Sequence, residues 1–252
     1  MINFVGAGSG AADLITVRGA RLLEEADVII YAGSLVNPAL LDYARDDAVI
    51  YNSASMTLEE VVAVMLDAEA QGKACVRLHT GDPSLYGAHR EQMDLLDAAG
   101  VDYAVVPGVS SFCGAAAALK AEYTLPGVSQ SVIITRMEGR TPVPQDERLR
   151  DLAAHGCSMV LFLSTGLLEG ATEELLAGGY APDTPAAIVY KATWPDERVF
   201  RCTVATLAQT AREAGVNNTA LVTIGGFLGS EHDCSKLYDP SFSHMFRKGI
   251  DG

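Results

Sequence analysis

Residues 78 to 87 read LHTGDPSLYG, a strand end that runs into a Gly-Asp-Pro turn. Gly81 allows a ligand to approach the backbone closely, the Asp82 carboxylate offers fixed acceptors, and Pro83 sets the turn. Such a turn suits a small, polar, partly cationic guest. Two further loops are built from small residues: Gly6-Ala7-Gly8-Ser9-Gly10 and Pro107-Gly108-Val109-Ser110-Ser111. The first follows a strand, as a dinucleotide loop does, but its spacing is GxGxG rather than GxGxxG. Tyr31-Ala32-Gly33 lacks the acid that would hold a ribose, and no lysine follows at P-loop spacing. In the other loop Ser110 or Ser111 can cap the Ala-rich helix of 114–119, and Gly-x-Ser-x-Gly is absent, so a hydrolase nucleophile elbow is unsupported.

His79 directly precedes the Gly-Asp-Pro turn, where it either touches substrate, relays a proton, or sits buried at a strand end. His89, His155, His232 and His244 have no partner at metal-ligand spacing, and Cys75, Cys113, Cys157, Cys202 and Cys234 form no CxxC pair. Neither a protein-bound metal nor a disulfide is expected. With 18 Lys and Arg against 32 Asp and Glu, the net charge of −14 disfavours nucleic acid and anionic membrane as partners. An anionic substrate must therefore be met locally.

The elements around these loops repeat one rhythm in the first half: short apolar strand, loop, amphipathic helix. Strands are expected at 2–5, 28–31, 49–51, 74–78 and 103–106, and helices at 17–26, after Asn37-Pro38, and from the capping box at Thr57 and Glu60 to near Gly72. Five strands joined by helical crossovers imply a parallel, helix-covered sheet. In the second half strands are expected at 132–135, 159–163, 186–190 and 199–203, with a Pro-rich loop at 141–144 and a helix around 147–154. The short turn at Pro195-Asp196 makes the last two strands antiparallel neighbours, hence a mixed sheet. The fold class is thus α/β with two domains, 1–118 and 119–252, the boundary falling between Ala115 and Thr124 and the ligand expected in a cleft between them. After Phe227 the periodicity weakens, so that segment is expected to be partly disordered or exchanged with a partner subunit. No stretch approaches the roughly 20 apolar residues of a membrane span, and Met1-Ile2-Asn3 carries no basic signal-peptide start, so a cytoplasmic location is expected.

Taken in order, VGAGSGAADLITVRGARLL at 5–23, HTGDPSLYG at 79–87 and PGVSS at 107–111 resemble the successive motifs of the tetrapyrrole methylases. DVIIYAGSLVNPALL at 27–41, ITRMEGRTPVP at 134–144 and VYKATWPDERVFRCT at 189–203 resemble the branch that methylates precorrin-4 or cobalt-precorrin-4 at carbon 11 in cobalamin biosynthesis. The likeness runs from about residue 2 to residue 228. It implies two α/β domains, a homodimer, and S-adenosylmethionine as methyl donor, with S-adenosylhomocysteine as product. By position within the motifs it places cofactor contacts on Ser9, Thr80, Gly81, Asp82, Leu85, Ser110, Ser111, Leu163 and Ala192. Ser9 stands where the family usually carries proline, and Ala11-Ala12 where Gly-Asp often follows, so the first loop departs from the pattern.

A tetrapyrrole substrate carries many carboxylates, which arginine clamps with paired hydrogen bonds. Arg77, Arg90, Lys120, Arg136, Arg140, Lys191 and Arg198 lie in or beside the motif loops; His79, Arg136, Arg140 and Lys191 are the candidate substrate contacts. The aspartate proposed as a base in the uroporphyrinogen branch is replaced by Ala32, and no catalytic base is assigned. Two other classes fit parts of the pattern: a nucleotide- or NAD-dependent enzyme on a doubly wound sheet, and a non-catalytic tetrapyrrole carrier.

Overall fold

In the computed structural model, which describes residues 1–250, the first half forms β1 (Ile2–Gly6), α1 (Val17–Glu25), β2 (Val28–Tyr31), β3 (Val49–Asn52), α2 (Leu58–Ala70), β4 (Cys75–His79), α3 (Arg90–Ala98), β5 (Tyr103–Val106) and α4 (Ser111–Leu119). The strands pair in the order β3-β2-β4-β1-β5, all parallel. β1 and β4 are buried at every residue, as strands covered by helices on both faces must be. Leu23, Ile29 and Leu78 fill one core cluster, and Phe4, Ile30 and Met65 another. The helix starts follow local chemistry: the Thr16 hydroxyl accepts from Gly19 N–H, and Thr57 and Glu60 form the expected capping box. After Asn37, whose side chain accepts from Ala39 N–H, the chain makes a 3-10 helix over Pro38–Tyr43 rather than an α-helix.

The second half supplies β6 (Val132–Arg136), α5 (Leu149–Ala153), β7 (Ser158–Phe162), α6 (Leu168–Ala177), β8 (Pro185–Tyr190), β9 (Arg198–Thr203), α7 (Leu207–Ala214) and β10 (Ala220–Ile224). Their order is β6-β7-β10-β8-β9; β6 and β7 run parallel, and β10 is antiparallel to both β7 and β8. The mixed sheet is thus present, but its central strand, β10, carried no expectation from sequence. The helix expected over 147–154 resolves into a 3-10 turn at Gln145–Glu147 and the short α5. The core of this sheet is Met159, Leu161, Leu168, Leu175, Ile188, Val222 and Ile224, all essentially inaccessible to solvent.

By its contacts the chain divides into one unit of Met1–Ala118 with Lys191–Arg198, and another of Leu119–Tyr190 with the chain from Val199 onward. Among the described residues the segment after Phe227 adds no strand but is locally tied: the Arg247 guanidinium donates to the carbonyls of Leu237 at 2.8 Å and Asp239 at 2.6 Å.

Candidate functional site

In an open parallel sheet, ligands gather at the carboxyl ends of strands where the winding reverses. Here β1 lies between β4 and β5, so the glycine-rich, Gly-Asp-Pro and Pro-Gly loops leave three adjacent strand ends on the same edge. Their backbones are joined directly. Ala7 N–H donates to the His79 carbonyl at 2.7 Å, Gly8 N–H to Gly81 O at 3.2 Å, and Gly81 N–H to Gly8 O at 3.0 Å. A Cβ on Gly6 would lie 2.6 Å from Gly108 Cα, and one on Gly108 only 2.1 Å from Gly81 O. The first glycine of the GxGxG run therefore serves close backbone packing between loops. Gly81, at φ 61°, faces Ser110 and Ser111, so these expected cofactor residues do come together.

Asp82 tightens the same junction. One carboxylate oxygen accepts from Ser84 N–H at 2.8 Å and from the Ser84 hydroxyl; the other accepts from Gly108 N–H at 2.8 Å. Partial burial raises its pKa, but the Ser84 and Gly108 donors and the nearby His89 outweigh that, leaving it below the usual carboxylate value. The Asp82 acceptors are fixed, as expected, but what fixes them is that both oxygens accept from groups within the protein. Thr80 and Leu85 flank it, each half-buried.

His79 does not fit a proton relay. It is 2 % exposed, its ring lies 6.0 Å from that of Phe4 and 5.4 Å from that of His89, and Nε2 has no hydrogen-bond partner. Burial first, then the charges of Arg77 and His89, push its pKa down to about 3, so the ring stays neutral near pH 7. Arg77 likewise lies inside the unit, 6 % exposed in β4, and not at a ligand surface. Arg90 is exposed and paired with Asp94 on α3.

Ser9 meets a partner that sequence reasoning missed. The Thr193 hydroxyl lies 3.1 Å from Ser9 Oγ and accepts from Ala11 N–H at 3.0 Å, while a Cβ on Gly10 would strike the Trp194 ring at 2.1 Å. The segment 191–198 thus packs on the glycine-rich loop. Ser9 and Thr193 are 184 positions apart, so no spacing signal could have paired them. Ala192 is buried beside this contact. Lys191 pairs with Asp196 at 2.6 Å and lies 5.2 Å from the centre of the Trp194 ring.

The remaining candidates belong to the second unit. Leu163, placed in a strand by the sequence, sits just past β7 at φ 52° and is 64 % exposed. A large apolar residue that is both left-handed and solvent-facing is uncommon. Beside it Ser164, also missed, is fully buried, donating to Phe162 O at 2.6 Å and accepting from Met137 N–H at 2.7 Å. The Arg136 guanidinium donates to Thr141 O at 3.1 Å and Pro142 O at 2.6 Å, shaping the Pro-rich loop that carries the exposed Arg140. Among the described residues no group of three or more His, Cys, Asp or Glu could hold a metal ion.

Residues 1–208 match the family model described as Tetrapyrrole (Corrin/Porphyrin) Methylases. The chain belongs to the tetrapyrrole methylases. It is 53 % identical over 248 residues to a cobalt-precorrin-4 C(11)-methyltransferase of Methanocaldococcus jannaschii, spanning 98 % of this chain and 96 % of that one. The X-ray structure of a cobalt precorrin-4 methyltransferase, a cobalamin biosynthetic enzyme, superposes with a TM-score of 0.89 at 48 % identity, covering 91 % of this chain and 96 % of the other. A uroporphyrin-III C-methyltransferase from Thermus thermophilus, crystallised with S-adenosyl homocysteine, gives a TM-score of 0.75 at 28 % identity over 90 % of this chain and 98 % of that one. Membership accounts for the poor dinucleotide fingerprint: in this tetrapyrrole methylase the small residues of the first loop bring backbones together.

Proposed function

We propose that the protein transfers a methyl group from S-adenosylmethionine to carbon 11 of cobalt-precorrin-4, in cobalamin biosynthesis. The observation that carries this reading is the junction of the three motif loops at the ends of β1, β4 and β5, in a chain 53 % identical to a protein named for that reaction. The loops suit the cofactor. Gly81 packs on the Ser110 and Ser111 backbone, a Cβ there lying 3.6 Å from each, so the two loops meet with no side chain between them. Thr80, Gly81, Leu85, Ser110, Ser111 and Ala192, all of the first unit, would hold it, with Ser9 and Asp82 fixing loop shape.

The cofactor supplies an activated sulfonium methyl, and transfer needs an electron-rich ring carbon held in line with the S–CH₃ bond. The protein's part is then positioning and exclusion of water. Arg136 and Arg140, and Lys191 in the other unit, are the cations that would meet the carboxylates of the macrocycle on a chain whose net charge is −14. Arg136 is held to the Pro-rich loop and Lys191 to Asp196, so both present charge from fixed positions. Ala32 cannot take up the proton lost from the ring, and no side chain is assigned as base.

The enzyme is read as a cytoplasmic homodimer. Exposed, unpaired Cys113 and Cys234 suit a reducing compartment, and no helix among the described residues is long and apolar enough to cross a membrane. Tyr238, Met245 and Phe246, each at least 80 % exposed on the C-terminal segment, offer apolar area for a second copy to cover. The deciding experiment is methyl transfer from labelled cofactor to cobalt-precorrin-4 and to metal-free precorrin-4. Faster turnover of the cobalt form, with the label at C11, is expected. No transfer to either substrate would overturn the reading.

A further inference from the structure

The loop after Asp82 is held in a conformation that its own residues disfavour. Tyr86 and Ala88 have φ of 55° and 46°, a left-handed backbone that side chains with a Cβ rarely adopt. Between them, a Cβ on Gly87 would lie 2.2 Å from Pro83 O, so the turn closes tightly on itself. Such geometry persists only where surrounding groups impose it. At the start of the loop Asp82 does so through Ser84 and Gly108.

At its end stands a buried relay. Gln92 of α3, 5 % exposed, donates from Nε2 to the Ala88 carbonyl at 2.9 Å and accepts at Oε1 from Arg77 Nε at 3.1 Å. Arg77 in turn donates from Nη1 to Ile30 O at 3.2 Å. A guanidinium can only donate and a carbonyl can only accept, so the two partners fix which way the Gln92 amide faces. No ion pair to Arg77 is present among the described residues, although the residue is 6 % exposed. A buried cation met only by neutral acceptors is a poor device for stability, since apolar residues of similar size often serve as well or better.

We propose that Gln92 is a positioning residue for the methyl-donor loop: oriented by Arg77, its amide grips the Ala88 carbonyl and holds the left-handed Tyr86–Ala88 return that presents residues 80–85 to the cofactor. This deepens, and rests on, the reading of those residues as the cofactor-holding loop. Gln92 touches neither cofactor nor substrate; it acts through the loop.

The test separates the relay from general stability. Gln92→Glu keeps an acceptor for Arg77 but sets a carboxylate oxygen against the Ala88 carbonyl. The double variant Arg77→Met with Gln92→Leu removes the relay with apolar replacements, and serves if the first variant folds poorly. In both, hydrogen exchange over residues 83–89 is expected to quicken about tenfold and the dissociation constant for S-adenosylhomocysteine to rise about 3- to 10-fold, the loss of one hydrogen bond. Exchange in β1 and β4 should remain at the wild-type rate. Unchanged loop exchange, or a loosened loop with unchanged affinity, overturns the proposal. Should the wild-type protein bind no S-adenosylhomocysteine, the cofactor reading falls, and loop exchange alone then upholds or overturns the grip of Gln92 on the loop.

Discussion

The Asp82 carboxylate accepts a hydrogen bond from the Gly108 backbone N–H at 2.8 Å, tying the loop that follows β4 to the loop that follows β5. The two strands flank β1 on opposite sides, so this one bond bridges the ends of the three-loop junction. Asp82→Ala removes it together with both bonds from Ser84. The expected loss is about 1–2 kcal/mol in urea unfolding, toward the low end for charged hydrogen bonds because the carboxylate is only partly buried. Binding of S-adenosylhomocysteine should weaken about tenfold by calorimetry. Asp82→Asn keeps one acceptor oxygen and should fall between the two; wild-type affinity in Asp82→Ala would mean that the clamp does not shape the site.

Gly108→Ala tests the backbone junction itself. The added methyl would stand 2.1 Å from Gly81 O, a backbone atom that cannot swing aside. The loops must separate, at a cost of about 1–3 kcal/mol by analogy with overpacked cores, and cofactor affinity should fall more than stability does. Gly166→Ala is the control, since its nearest neighbour would be Asn217 O at 3.5 Å, an ordinary contact. Equal melting temperatures and equal affinities for the two variants would contradict a glycine requirement at 108.

His79 gives the protein a pH dependence with a definite sign. Its folded pKa is about 3 against an ordinary 6.5. Between those values the unfolded chain binds a proton that the folded chain refuses, so stability is full above 6.5 and declines as pH is lowered, by up to about 1.4 kcal/mol per pH unit. His79→Leu removes the titration and fills the same buried space. Denaturant unfolding from about pH 7.5 down to about pH 5.5 should show the wild-type curve falling relative to the variant. Parallel curves would mean that His79 is protonated equally in both states.

Arg140 is the substrate contact most cleanly separable from the fold, because it is exposed while Arg136 shapes its loop by bonding Thr141 and Pro142 carbonyls. Arg140→Ala is expected to raise KM for the tetrapyrrole about tenfold, the scale of one charged contact, and to leave S-adenosylhomocysteine affinity intact. An unchanged KM would remove Arg140 from the site.

The parallel sheet was legible because its strands are short, mainly apolar runs, several followed by a helix signal, as Val49–Tyr51 is by the capping box at Thr57 and Glu60, whereas α3 after β4 carried no expectation. β10 was not read, although Ala220–Ile224 is a short apolar run bounded by Asn217-Asn218 and Gly225-Gly226; its central place comes from antiparallel pairing with β7 and β8, which no local pattern specifies. The motif loops were located correctly, yet the work of individual residues inside them was not. Asp82 reads as a fixed acceptor, His79 as a substrate contact, a proton relay or a buried strand-end ring, and Arg77 as one of several cations beside the motif loops. Their actual roles depend on partners 26, 10 and 15 residues away in the chain, respectively Gly108, His89 and Gln92. Local pattern places a side chain on an element, whereas its burial and hydrogen bonding are set by what the fold brings beside it.

Thr193 is the clearest such case, since its partners lie at the other end of the sequence. Its hydroxyl accepts from Ala11 N–H and bonds Ser9, and its own N–H donates to Glu197 at 2.6 Å. Thr193→Val preserves shape but leaves the Ala11 N–H without an acceptor, for an expected loss of about 1–2 kcal/mol. Ser9→Ala deletes only the weaker of the two contacts and should cost less, because the Ala11 bond survives. If the Ser9 and Thr193 hydroxyls interact as the 3.1 Å distance indicates, the double variant will be more stable than the sum of single losses implies, by about 0.5 kcal/mol or more. Strict additivity in urea unfolding would show that the two hydroxyls are not coupled, and that the segment 191–198 is held to the glycine-rich loop by Ala11 and the Trp194 ring alone.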